Sequence, residues 1–276
     1  MLRQRATSAL ILVPPLLIAL VLGGYWIILV VTLAAALAAR EVFHLLTMAG
    51  YSSLPWFGMA FTVAVVLDAA AGPAVDPDGG LLVAVGTILA AVGAFLRTDP
   101  RDGLPTWFAT VFGAVYASFL GFVLRLGNEA PPIPAGSPLS FATAEQGWIL
   151  LLLLSVWAYD TGAYFAGKRF GRRKFLSHIS PSKTYAGLIG GIVATTAVAT
   201  LMLSGLGSAP IGGLVLGPLI ALAAQAGDLA ESMLKRAAGA KDSSNLIPGH
   251  GGILDRVDSF LFAAPILTLY VLAAYR

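Results

Sequence analysis

Asp228, Glu231, Ser232, Lys235, Arg236, Lys241 and Asp242, then the run Pro248-Gly249-His250-Gly251-Gly252, then Asp255, Arg256 and Asp258, form a dense stretch of mixed charge in a chain that is 58% hydrophobic and 11% charged. Carboxylates interleaved with Lys and Arg are what a divalent metal and a polyphosphate jointly require. Asp228, Glu231, Ser232 and Lys235 are spaced i, i+3, i+4 and i+7, so a helix presents them on one face. A local ion pair between Glu231 and Lys235 accounts for two of the four. Asp228 has no basic residue within a turn on its N-terminal side, which leaves a metal ion as its most economical partner. Pro248 and the glycines around it exclude helix and allow positive φ and close approach of backbone to a ligand. Asp255 and Asp258, spaced i, i+3, stand at the head of the next helix, where a di-acidic cap is the structural alternative to ligation. There is no cysteine, and the three histidines His44, His178 and His250 are scattered. Oxygen donors alone select a hard cation, Mg2+ or Mn2+, and an additional monovalent cation is compatible with the same donors.

A second group lies upstream. Asp160 sits about two turns from the end of an apolar segment, where an ionisable side chain either faces a cavity or partner or pairs locally with Lys168 or Arg169. The basic run Lys168-Arg169-Phe170-Gly171-Arg172-Arg173-Lys174 reads mainly as a topology or headgroup signal. In 180-SPSKTYAG-187, Pro181 and Gly187 bracket a turn. There Ser182, Lys183 and Thr184 offer donors to phosphate oxygens just ahead of a helix whose N-terminus favours anions.

These groups need elements to hold them, and composition says which. With 276 residues, 31 of them Lys, Arg, Asp or Glu, and a mean hydropathy of +0.84, the chain has too little polar surface for a soluble globule. Apolar runs fall near 6–22, 25–39, 54–71, 81–96, 107–124, 147–167, 186–205, 211–230 and 258–275. They predict an all-α, polytopic membrane bundle of about nine helices, at roughly 20 residues per span. Arg3 and Arg5 before an apolar run resemble a signal peptide, but Pro14-Pro15 interrupts it and a second run follows at once. The penultimate helix is expected to run beyond the membrane boundary, since 219–240 has no proline and many strong helix formers. With the N-terminus in the cytoplasm, Arg125 and Arg276 are the two of 17 Lys and Arg that fall outside, as the positive-inside rule requires. The stretches 168–185 and 228–258 then share the cytoplasmic side.

The chain divides into N-terminal helices at 1–130, with no chemistry evident in them, a Pro-rich external loop at 131–146, and a catalytic region at 147–276. Metal carboxylates, Lys and Arg beside a glycine loop at a membrane face point to transfer of a phosphoryl or nucleotidyl group to or from a lipid. An acceptor that is itself a phosphate is already ionised and needs no strong general base. Nothing implies nucleic acid.

The pattern Ser232-x-Leu234-Lys235-Arg236-x4-Lys241-Asp242-x5-Pro248-x-His250-Gly251-Gly252-x2-Asp255-Arg256-x-Asp258 resembles the signature of phosphatidate cytidylyltransferases. Asp160-Thr161-Gly162-Ala163-Tyr164 with Phe170-Gly171, and Ser180-Pro181-x-Lys183-Thr184 with Gly187, resemble further motifs of that family. Ala186 departs from it, because relatives often carry glutamate there. The resemblance implies CTP plus phosphatidate giving CDP-diacylglycerol and pyrophosphate, with Mg2+, in a homodimeric inner-membrane enzyme whose active site faces the cytoplasm. It makes Asp228, Ser232, Lys235 and Asp255 the catalytic candidates and Asp228, Asp255 and Asp258 the metal ligands. Asp160, Lys183, Arg236, Lys241, Asp242, His250, Gly251, Gly252 and Arg256 are then the substrate-binding candidates.

Two other classes use similar groups. A lipid-linked phosphotransferase usually carries a D-G-x2-A-R run with paired aspartates, which does not occur here, and a CTP-dependent polyprenol kinase needs comparable phosphate contacts. An ion-coupled transporter could place Asp160 and Asp228 in its pathway, but transport gives no reason for the glycine loop.

Overall fold

The computed structural model describes residues 13–72, 80–247, 249 and 251–275, and every named element in them is helical. In chain order these are α1 (Val13–Leu22), α2 (Tyr25–Met48), α3 (Pro55–Ala71), α4 (Leu81–Ala94), α5 (Pro100–Ser118), α6 (Phe122–Glu129), α7 (Ala144–Phe170), α8 (Tyr185–Gly205), α9 (Gly213–Ala237) and α10 (Leu254–Tyr275). A 3-10 turn at Phe119–Gly121 joins α5 to α6, making one apolar run, Pro100–Glu129. Among the described residues six such runs are long and apolar enough to cross a membrane, whereas α1, α3 and α4 are shorter. Where they are described, the nine apolar runs read from the sequence fall on helix, residues 6–12 of the first run lying outside the described residues, and six of the described helical runs have full spanning length.

The boundaries differ from the apolar runs where capping chemistry intervenes. α5 begins at Pro100, well before 107, because Asp99 accepts a hydrogen bond from the Arg101 N–H and proline occupies the first helical position, where its missing donor costs nothing. α7 begins with a reciprocal cap between Thr143 and Gln146 and carries Lys168 and Arg169 in its last turn, where the helix dipole favours cations. α9 continues to Ala237, well past the apolar run that ends at 230.

The chain forms two compact units. The first comprises Met1–Arg125 with Met233–Val257, and the second Leu126–Ser232 with Asp258–Arg276. In the first, α2, α3 and α5 pack against one another and α4 packs against α3 and α5. The Phe43 ring fills the space that side chains at Gly58 of α3 and Gly113 of α5 would need. Ala35, Ala38, Val42 and Leu45 are fully buried, which gives α2 an inward stripe at helical spacing. In the second unit α7 packs along α8 through small residues. A Cβ at Gly162 would meet Ala194, one at Gly190 would meet Ala166, and one at Gly187 would meet the Ala163 carbonyl. Such surfaces let backbones approach closely where lipid offers no hydrophobic drive. Tyr159, Ala221 and Ala224 form the buried centre of this unit, with Leu188 and Ile192 against it.

Candidate functional site

In the second unit, the segment between α7 and α8 is closed into a small antiparallel turn. Phe175 N–H donates to the Lys183 carbonyl at 3.1 Å and Tyr185 N–H to the Arg173 carbonyl at 3.2 Å. Thr184 then caps α8, its hydroxyl accepting from Gly187 N–H at 3.1 Å. With its neighbours tied on both sides, Lys183 extends its ammonium to the Asp228 carboxylate on α9. Ser232, one turn further along α9, places its hydroxyl 3.4 Å from the other Asp228 oxygen, as the i, i+4 spacing predicts. The partner that Asp228 lacks on its own helix is thus supplied from the preceding loop.

The same unit brings Asp258 to this helix. At Gly227 the backbones of α9 and α10 come together so closely that a Cβ there would collide with the Asp258 carbonyl. The glycine before Asp228 is what admits this approach. Behind it, the Tyr159 hydroxyl donates to Gln225 Oε1 at 2.5 Å in a buried contact. Glu231 is also buried, at 1% exposure.

The first unit holds the second group. Lys235, on the last turns of α9, donates to Asp255 Oδ1 at 2.6 Å, which ties the end of α9 to the head of α10. Asp255 Oδ2 accepts from Ser243 N–H at 2.8 Å, Ser243 Oγ at 2.7 Å and Gly252 N–H at 2.8 Å. Asp255 therefore clasps the loop between α9 and α10 as well as pairing with a cation. Gly251 has φ +78°, which side chains disfavour, and a Cβ on Gly252 would strike Ser243 Oγ and both Glu41 oxygens. The close approach that these two glycines permit is to the protein's own carboxylates.

Glu41 is the residue sequence reading missed. It lies on α2, within the region taken to hold no chemistry, and its carboxylate accepts from Ser244 Oγ, Ile253 N–H and Leu254 N–H at 2.6, 3.1 and 2.7 Å and shares the single Ser243 hydroxyl proton with Asp255, at 2.9 Å. The available signal was an acid three residues after Ala38 and four before Leu45, inside the apolar stripe of its helix.

The remaining candidates are placed less centrally. Arg236 donates to the Ala240 carbonyl at 3.0 Å, closing the end of α9. Lys241, Asp242 and Arg256 are exposed, as is Asp160 on α7. Lys168 lies over the Tyr164 ring, Arg169 over Phe170, and Arg173 over Tyr185. His250 and Pro248 lie outside the described residues.

Among the described residues no three Asp, Glu or His side chains gather into one cluster. Asp228 in the second unit and Asp255 in the first each present carboxylate oxygens, and each is paired with a lysine ammonium. Carboxylate oxygens are the donor type that hard cations such as Mg2+ or Mn2+ take.

Comparison with known proteins covers nearly the whole chain. The model of the cytidylyltransferase family matches residues 3–274. A phosphatidate cytidylyltransferase of Brucella suis biovar 1 is 41% identical over 197 residues, 70% of this chain and 67% of the relative. Proteins of the same name from Synechocystis sp. and Pseudomonas aeruginosa are each 34% identical, over 97% and 99% of this chain and 96% and 98% of their own lengths. The likeness thus extends into the N-terminal helices, where the sequence alone offered only hydropathy.

Proposed function

The chain belongs to the cytidylyltransferase family, and we propose that it transfers the cytidylyl group of CTP to phosphatidate, forming CDP-diacylglycerol and releasing pyrophosphate. The observation that carries this reading is the pair of lysine–aspartate contacts, Lys183 with Asp228 and Lys235 with Asp255. Both lysines and Asp255 belong to the motifs that resemble the family, and each pair sets an ammonium where a phosphate oxygen could replace a carboxylate as its partner.

In the proposed reaction a phosphatidate oxygen attacks the α-phosphorus of CTP. A new P–O bond forms there, the bond from α-phosphorus to the bridging oxygen breaks, and pyrophosphate leaves with that electron pair. Lys183, Lys235, Arg236 and Lys241 neutralise nucleotide and lipid phosphates, and Ser232 donates a hydrogen bond to a phosphate oxygen. Neutralising and aligning like-charged reactants is most of the catalysis such transfers need. We assign Asp228 and Asp255 as candidate ligands of Mg2+ or Mn2+, with Asp258 beside Asp228. A bound divalent cation would supply charge stabilisation to the departing pyrophosphate.

The chain is a multi-pass membrane protein by its helices. The proposal places it in the inner membrane as a homodimer with the reaction on the cytoplasmic side, a topology supported by the distribution of Lys and Arg. CTP labelled in the cytidine ring, supplied with phosphatidate vesicles, tests the reaction. Label must enter lipid; label in the γ-phosphate alone entering lipid would instead identify a lipid kinase, and uptake without incorporation a transporter.

A further inference from the structure

We infer that Glu41 is a positioning residue for this reaction: its carboxylate on α2 fixes both the start of α10, which carries Asp255, and the loop that carries Ser243 and Gly252. The inference rests on the reaction proposed above. Glu41 occupies the inward face of α2 at 5% exposure, between Ala38 and Leu45, which are fully buried. An acidic group so placed is tolerated only when its hydrogen bonds are met. Here they are met entirely by the segment 243–254, about two hundred residues away in sequence.

The donors show what the carboxylate does. Ile253 and Leu254 N–H groups open the first turn of α10, where backbone donors have no partner within the helix and the dipole favours negative charge. Glu41 therefore caps α10 from another helix. The Ser243 hydroxyl stands 2.9 Å from Glu41 Oε2 and 2.7 Å from Asp255 Oδ2, linking the cap to the carboxylate that holds Lys235. Gly252 lies against both carboxylates. Any displacement of the Glu41 oxygens thus shifts the donors that orient Asp255.

Glu41→Gln in the full-length protein tests this, because the amide keeps the size but turns a donor toward the same N–H and hydroxyl groups. Amide exchange across 243–254 should quicken by about tenfold. The kcat should fall by about tenfold or more, as misplacement of reacting groups does, while KM for CTP changes by less than about threefold. Glu41→Asp, which retains the charge, should recover part of kcat. Wild-type exchange in Glu41→Gln would overturn the fastening. Faster exchange with wild-type kcat, or equal damage by Glu41→Asp and Glu41→Gln, would overturn the positioning role. Should the wild-type protein itself make no cytidylated lipid, the reaction reading fails, and the two failures are distinct because the variant is not involved.

Discussion

Lys235, in the last turns of α9, donates its ammonium to the carboxylate of Asp255, in the first turn of α10, at 2.6 Å, with only 11% and 8% of the two side chains exposed. Lys183 and Asp228 form a second lysine–aspartate contact, at 24% and 21% exposure. The difference in burial separates what the two pairs contribute. A buried ion leaves an uncompensated charge when its partner is removed, whereas a partly solvated one is rescued by water.

Asp255→Asn should therefore damage both stability and activity. Removal of one partner from a buried pair costs about 3–5 kcal/mol, and the amide also turns a donor toward Lys235 or toward Ser243 and Gly252. A thermal melt in detergent should show a clear fall alongside lost turnover, and a melt equal to wild type would show that the clasp carries no weight.

Asp228→Asn should abolish turnover while shifting stability by only about 1 kcal/mol, since the pair it disrupts is partly exposed. Wild-type incorporation of labelled cytidine by this variant would remove Asp228 from the site. Lys183→Met should likewise spare the fold, and should weaken CTP or phosphatidate binding by about tenfold through loss of one charge-assisted contact.

Gly252→Ala is expected to inactivate the enzyme although it adds a single methyl group. Its Cβ would press on Ser243 Oγ and the Glu41 carboxylate, and overpacking of this kind costs about 1–3 kcal/mol. Steady-state kinetics and a melt on the same preparation check it. A fully active variant would show that this loop has slack.

Tyr159→Phe provides the contrast. Its hydroxyl bonds Gln225 in the interior of the second unit, so loss should cost about 1–3 kcal/mol from a buried group left unsatisfied and leave KM and kcat nearly unchanged. A large drop in kcat without loss of stability would assign Tyr159 to the chemistry.

Chelation should stop turnover, and Mg2+ or Mn2+ should restore it, if oxygen donors such as Asp228 and Asp255 hold a hard cation. Undiminished cytidylyl transfer in excess chelator is the result that would exclude the metal.

The amino-acid sequence by itself determined where the helices lie and which residues share a face, because hydropathy and the 3.6-residue period are local properties. The contact of Ser232 with Asp228 follows from that period, as does the place of Asp255 at the head of α10. Tertiary structure alone decided the partners. Lys183 reaches Asp228 only because a turn closes ahead of α8, and Lys235 meets Asp255 only because the loop after α9 returns the head of α10 to its last turns. Glu41 shows the limit most sharply. No periodicity links it to Ser243 or Leu254, since the chain brings them together by packing, and a buried acid takes its meaning from donors that only the folded chain supplies.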